Sequence, residues 1–218
     1  MNYRIINCEQ GTEAWLNARK GKLTASVAKK IITPTGKLSA SAKGLMIELA
    51  TECVVDDPTL KHRQERLEFN DSIAWGKLYE PEARECFTKY TGYAVDEIGF
   101  LQSTLFPCLG ISPDGLFQIG ETPCGLEIKC PISTTHAEWH YDNKLPDDHK
   151  IQVHFSMAVT GIKEWHFISY YPGLEPFIIK IEYDEFTEKV KTAAIEFAEK
   201  YATEAPKIWG KILPKERL

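Results

Sequence analysis

The sequence predicts an α/β (α+β) fold in which a central mixed β-sheet is flanked by helices. Three observations carry this. Over residues 71–203, helical and strand-like segments follow in the order helix, three strands, helix, two strands, helix. No internal repeat, low-complexity tract or clear linker interrupts the chain, so residues 1–218 read as one domain. The composition, 43% hydrophobic and 11% aromatic, suffices for one substantial core.

A short helix is expected from Thr12 to Gly21. Thr12 caps it, Glu13 stands in its positive first turn, and Gly21 stops it. Thr24 caps a second helix. Residues 32–42 hold Pro34, Gly36 and small polar residues and read as a loop. A helix is expected over 43–55, and the charged stretch 56–69 reads as an exposed, mobile connection. Residues 71–90 place Ile73, Leu78, Tyr79, Cys86, Phe87 and Tyr90 at helical spacing, and Gly92 ends the run. Pro81 either kinks this helix or starts a new segment. Strands are expected near 97–105, 109–118 and 124–130, a helix over 146–160, strands over 165–171 and 176–183, and a closing amphipathic helix over 185–203. Trp15 and Trp75 read as core.

The net charge of −5 is unevenly spread: residues 1–50 carry +5 and the remainder −10. A basic segment on an acidic body suits local phosphate binding, or a protein that encloses nucleic acid instead of coating it. A chance cluster of solvated lysines is the plain alternative. No apolar run approaches the roughly 18–20 residues of a membrane span, and the first residues lack the apolar run of a signal peptide. Both predict a cytoplasmic protein that does not engage a membrane. No two of the six cysteines form a Cys-x-x-Cys, which argues against a zinc knuckle and for reduced, packed thiols.

The strongest local signal is Ser112-Pro113-Asp114-Gly115 followed by Leu126-Glu127-Ile128-Lys129-Cys130. On a strand, Glu127 and Lys129 share one face and Ile128 points to the other. A turn around Pro113 brings Asp114 alongside on a paired strand. Two carboxylates suit a hard divalent cation such as Mg2+. An ammonium beside them can orient a water or offset charge on a phosphoryl group. This is the Pro-Asp…Glu-x-Lys signature of metal-dependent nucleases. The competing reading is a surface hairpin with Asp114-Gly115 as its turn and an exposed Glu127–Lys129 pair. Leu126, Ile128 and Cys130 favour a strand buried on both faces, where paired charges need a reason.

Five blocks in one order carry a wider resemblance. They are Glu9-Gln10-Gly11-Thr12 with Trp15, Arg19 and Thr24-Ala25-Ser26; Ala74-Trp75-Gly76-Lys77-Leu78-Tyr79-Glu80; Ser112-Pro113-Asp114-Gly115; Leu126-Glu127-Ile128-Lys129-Cys130-Pro131; and Gln152-Val153-His154-Phe155-Ser156-Met157. Over roughly residues 8–200 the chain resembles the YqaJ-type, lambda-exonuclease-like family of viral recombination nucleases.

That resemblance implies a restriction-endonuclease-like core and a Mg2+-dependent 5′→3′ exonuclease. Such an enzyme digests one strand of linear double-stranded DNA to mononucleotides and leaves a 3′ overhang for annealing-based recombination. By the same resemblance, Asp114, Glu127 and the Ile128 carbonyl hold metal, Lys129 activates water or steadies the phosphorus, Glu80 adds a carboxylate, and Gln152 orients water or phosphate. Arg19 grips the 5′-terminal phosphate with Ser26 and Ser112 as further contacts. A guanidinium fork suits that task, and a free-standing dipole partner at its helix C-terminus is the alternative for Arg19. Two Mg2+ ions, replaceable by Mn2+, are implied. So are duplex ends as substrate, a ring-shaped homotrimer, a single-strand annealing protein as partner, and a phage or prophage origin.

The chain departs from the family pattern at Thr104, where a further Asp is expected, and in a longer Asp114–Glu127 hairpin. His154 stands where a Gln is expected; two positions from Gln152, it lies off that residue's helix face. Two other functions are compatible with the core. A structure- or site-specific endonuclease is opposed by the Arg19–Ser26 block, and a non-catalytic DNA-binding subunit by intact Asp114, Glu127 and Lys129.

Overall fold

The computed structural model describes residues 3–55 and 71–214, so the connection expected over 56–69 lies outside the described residues. Strand β1 (Tyr3–Ile6) pairs antiparallel with β3 (Phe100–Ser103), and β3 pairs antiparallel with β4 (Leu109–Ile111). The two-residue β2 (Leu23–Thr24) runs parallel to β4 on its free side. The second sheet has the order β5 (Gly115–Ile119), β6 (Thr122–Lys129), β7 (Glu164–Ser169), β8 (Phe177–Glu182), with β6 and β7 parallel and the outer pairs antiparallel. The expected α/β class with mixed pairing holds, and the strands divide over two mixed sheets.

The division falls inside the run expected as one strand over 109–118. The chain leaves the first sheet after Ile111 and joins the second at Gly115. Pro113 lies between them and has no N–H to give either ladder. The Ser-Pro-Asp motif is therefore the point where the chain changes sheets.

Helix α1 (Glu13–Arg19) starts as expected, with Thr12 Oγ1 accepting from Trp15 N at 3.4 Å. Gly21 follows at φ 67°, and a Cβ there would stand 2.2 Å from Cys53 Sγ, so only glycine fits this exit. Helix α2 (Ala25–Ala28) is a single turn. Helix α3 (Ala42–Val54) buries Leu45, Met46, Leu49 and Ala50 at three- and four-residue spacing. Helix α4 (Asp71–Thr91) runs through Pro81 as one element, and Gly92 at φ 78° ends it. Helix α6 (Asp147–Thr160) packs against α2, strands of both sheets, and the long α7 (Glu185–Ile212). Its residues Val153 to Met157 are all buried, as a helix enclosed on every side requires.

Three elements were not expected. β1 and β2 are too short to show a period. Helix α5 (Ser133–Asp142) begins Ser-Thr-Thr and buries only His136, so it has almost no apolar stripe. Helix α7 also continues past the expected end at 203 and through Pro206. Ala205 is buried beyond that end, and Trp209 Nε1 donates to the Ala50 carbonyl of α3 at 2.7 Å. Packing on α3 outweighs the proline.

Two apolar clusters sandwich the second sheet. Ala83 and Phe87 of α4 meet Phe117, Cys124, Leu126, Ile128 and Ile168 on one face. The other face, with Trp165, Phe167 and Phe177, belongs to the larger cluster that also holds α3, α6 and α7. Strand β6 is thus covered on both sides, and Ile128 points into the α4 cluster as expected.

Candidate active site

Glu127 and Lys129 project from β6 on the face opposite Ile128. Glu127 is only 2% exposed, and its Oε1 accepts from both Lys129 Nζ and Gln152 Nε2 of α6. Asp114 is pinned against the same strand. Its Oδ2 accepts from Ile128 N at 2.7 Å and its own N donates to the Leu126 carbonyl at 3.2 Å. The surface-hairpin reading of this motif is excluded by that burial. Asp114, Glu127, Lys129 and Gln152 stand together, and the Ile128 main chain faces them.

Glu80 joins them electrostatically from α4. Burial, then the Asp114 charge, raises its pKa to about 7, against the pull of Arg84 and Lys129. Burial likewise lifts Glu127 to about 7, with Lys129 opposing and Asp114 adding to the rise. Asp114 is raised by burial against the pull of Lys129 and the Ile128 N–H. Burial works against the Lys129 ammonium, but Glu127, Asp114 and Glu80 together hold its pKa above that of an ordinary lysine. Three crowded carboxyls meet one lysine ammonium and the Arg84 guanidinium, and a cation among them would ease the repulsion between the carboxyls.

Among the described residues, no group of three or more His, Cys, Asp and Glu side chains stands ready to hold a metal ion. The donor set still fits Mg2+, which keeps several waters and is held by one or two carboxylates. Asp114 and Glu127 would be those two, each with one oxygen not engaged by the contacts above.

Arg19 forms a second cluster. Its Nη1 donates to Ser112 Oγ at 3.0 Å, and Nη2 donates to Thr24 Oγ1 at 3.3 Å and Ser26 Oγ at 3.2 Å. The guanidinium carbon lies 4.4 Å from the centre of the Trp15 ring, and Trp15 Nε1 donates to Ser112 Oγ at 2.8 Å. Burial lowers the Arg19 pKa to about 10, with Glu52 opposing, so it stays cationic at neutral pH. Ser112 therefore stands with Arg19, two residues before Asp114. Helix α2 is one turn long, so its dipole adds little at Ser26, whose hydroxyl accepts from Arg19.

Trp15 and Arg19 of one cluster and Glu80 and Asp114 of the other line one cleft of about 850 Å3, together with Arg84. Trp15 is half-buried in this cleft and belongs to neither apolar cluster, which corrects the expectation of a core residue. Trp75 is also only half-buried, its ring 4.3 Å from Tyr79 and 5.5 Å from Tyr171. Thr104 is exposed beyond the end of β3. His154 turns from the site to Thr187 Oγ1, 2.7 Å away.

Sequence reasoning missed three supporting residues. Gln10 Nε2 donates to the carbonyls of Ile98 and Pro113, both at 2.9 Å, and so clamps the sheet-changing loop. His149 lies one turn before Gln152, and burial, then Lys129 and Lys29, pushes its pKa down to about 3, which keeps the imidazole neutral. Arg84 bonds Glu80 at 2.7 Å; only its i+4 spacing from that residue was visible in the sequence.

The profile of the YqaJ-like viral recombinase domain matches residues 14–163. Among solved structures, the alkaline exonuclease LHK-Exo of Laribacter hongkongensis is 30% identical with a TM-score of 0.73, covering 92% of this chain and 97% of its own. Its complex with dAMP gives a TM-score of 0.72 over the same shares of the two chains at the same identity. A phage-related exonuclease of Haemophilus somnus 129PT shares the fold at 14% identity, with a TM-score of 0.52 over 84% of this chain and 96% of that one. No curated protein sequence matches. No helix among the described residues is long and apolar enough to cross a membrane. The domain match over most of the chain, with an alkaline exonuclease alike along nearly its whole length, makes this chain a member of the YqaJ-like viral recombinase family.

Proposed function

We propose that the protein is a Mg2+-dependent 5′→3′ exonuclease that digests one strand of linear duplex DNA to mononucleotides. Membership of the YqaJ-like family and likeness to alkaline exonucleases support a DNA exonuclease role. The observation that carries the finer reading is the shared cleft: the Arg19 cation and the Asp114 and Glu80 carboxyls line one space. An anchor for a strand terminus beside a hydrolytic centre favours an exonuclease over an endonuclease.

In this reading Arg19 and the hydroxyls of Ser112 and Ser26 bind the 5′-terminal phosphate. Asp114, Glu127 and the Ile128 carbonyl would hold the metal, with Glu80 nearby; the site would take two ions, Mg2+ or Mn2+. Bound there, the ions would supply Lewis-acid polarisation of the phosphodiester and a lowered pKa for the attacking water. Lys129 Nζ points its charge at the phosphoryl oxygens while holding Glu127 in place. Gln152 Nε2 donates to the same Glu127 oxygen, and the neutral His149 backs Gln152. Glu80, with its raised pKa, can hold or release a proton near neutral pH. The 3′ overhang left behind is the substrate of a single-strand annealing protein. A homotrimeric ring around DNA would give processivity to an acidic protein whose basic charge is local.

The test compares linear and supercoiled circular duplex in Mg2+, with label at either the 5′ or the 3′ end. Release of labelled mononucleotide from 5′ ends, with circles intact, is expected. Equal nicking of circles would sink the exonuclease reading, and release from 3′ ends would reverse the polarity.

A further inference from the structure

We infer that Arg84 is a positioning residue that sets the Glu80 carboxylate against the loop carrying Asp114. The inference rests on the metal-nuclease reading above. By spacing alone, Arg84 and Glu80 are an ordinary i, i+4 pair on a helix surface. The structure removes that reading. The Arg84 side chain is only 11% exposed, and its guanidinium reaches three separate segments. Nη2 donates to Glu80 Oε1 at 2.7 Å on α4, Nε donates to the Asp114 carbonyl at 3.1 Å on the sheet-changing loop, and Nη1 pairs with Glu97 Oε1 at 2.9 Å before β3.

A guanidinium holds its donors in fixed directions within one plane. A carboxylate on a helix is thereby kept at a set place relative to the main chain of a loop. Glu80 is half-buried beside Asp114, and like charge drives the two apart. Arg84 engages one Glu80 oxygen and the Asp114 carbonyl, so the second Glu80 oxygen and Asp114 Oδ1 remain for the cleft. Lysine would keep the charge, but its three donors radiate from a single nitrogen and lack the planar fork that spans these three segments.

The test is calorimetric titration of Mn2+ into the DNA-free protein, together with kcat and KM on linear duplex. It compares wild type, Arg84→Ala, Arg84→Lys and, as a control, Lys200→Ala, which breaks an exposed i, i+4 pair with Glu196 on α7. Arg84→Ala should weaken Mn2+ binding and lower kcat by on the order of 10²-fold, the scale of a misplaced catalytic group, with KM for DNA nearly unchanged. Arg84→Lys should recover part of the Mn2+ affinity and little of kcat. Lys200→Ala should match wild type. Unchanged Mn2+ affinity and kcat in Arg84→Ala overturn the inference and leave the nuclease reading standing. Losses accompanied by an equal rise in KM and a large fall in Tm assign Arg84 to folding alone and also overturn it. A wild type that neither binds Mn2+ nor cleaves DNA ends the nuclease reading, and this inference with it.

Discussion

Under the proposed function, replacing Arg19 with alanine should erase a preference for a phosphorylated end. The guanidinium is already oriented by Ser112, Thr24 and Ser26 and lies against the face of Trp15, so little ordering remains when phosphate arrives. Hydrogen bonds to charged groups contribute about 1.5–3 kcal/mol each. The Arg19 nitrogens are shared with three hydroxyls, so we count one full bond to phosphate and not the two of an unencumbered fork. That is about a 10- to 150-fold loss at 1.36 kcal/mol per decade. The assay is the initial rate on linear duplex with a 5′-phosphate or a 5′-hydroxyl, for wild type, Arg19→Ala and Arg19→Lys. The phosphorylated substrate should slow by that factor in Arg19→Ala, the hydroxyl substrate should change little, and lysine should restore part of the difference. A preference that survives in Arg19→Ala, or is absent from wild type, would refute the assignment. Arg19 would then be a buried cation that only holds Trp15 and Ser112 in place.

Metal binding should depend steeply on pH. Glu80 and Glu127 have pKa values near 7 without metal, so below pH 7 a cation must displace protons. Mn2+ affinity measured by calorimetry should fall by on the order of tenfold per pH unit per displaced proton between pH 7.5 and 6; a flat profile would mean these carboxyls titrate as ordinary ones. Asp114→Asn and Glu127→Gln should each lower kcat on linear duplex by roughly 10³-fold, the scale of losing one preorganised electrostatic group, and retained turnover in either would remove it from the metal set. Gly125→Ala should destabilise the fold by about 1–3 kcal/mol in urea melts, the usual cost of overpacking. A Cβ there would stand 2.3 Å from the fully buried Trp165 ring; an unchanged midpoint would show that the ring can move aside.

What could be read from the sequence was local. The period of a strand puts Glu127 and Lys129 on one face and Ile128 on the other, and the structure has them so. The cap at Thr12 and the end of α6 at Gly161 are likewise carried by adjacent residues. The contact of Arg19 with Ser112 spans 93 positions, and no local pattern encodes it; only the family blocks placed both near a phosphate. Trp15 reads as core because it is large and aromatic, yet its indole N–H and its ring face both serve polar partners. Arg84 was hidden by the opposite effect. Its spacing from Glu80 looks like an ordinary surface pair until burial and the Asp114 carbonyl are seen. The turn at Pro113 is legible as a residue, but the change of sheet is not, because the apolar residues on either side continue the strand pattern across it.

That turn also fixes a length. Ser112, which holds the Arg19 fork, and Asp114, which faces the chemistry, are separated by Pro113 alone. Two residues of extended chain span roughly 7 Å at most. Proline stiffens the span, and Gln10 holds its carbonyl. Under the proposed function the loop works as a gauge: it keeps the held terminus and the severed bond a set distance apart, and so defines the size of each bite.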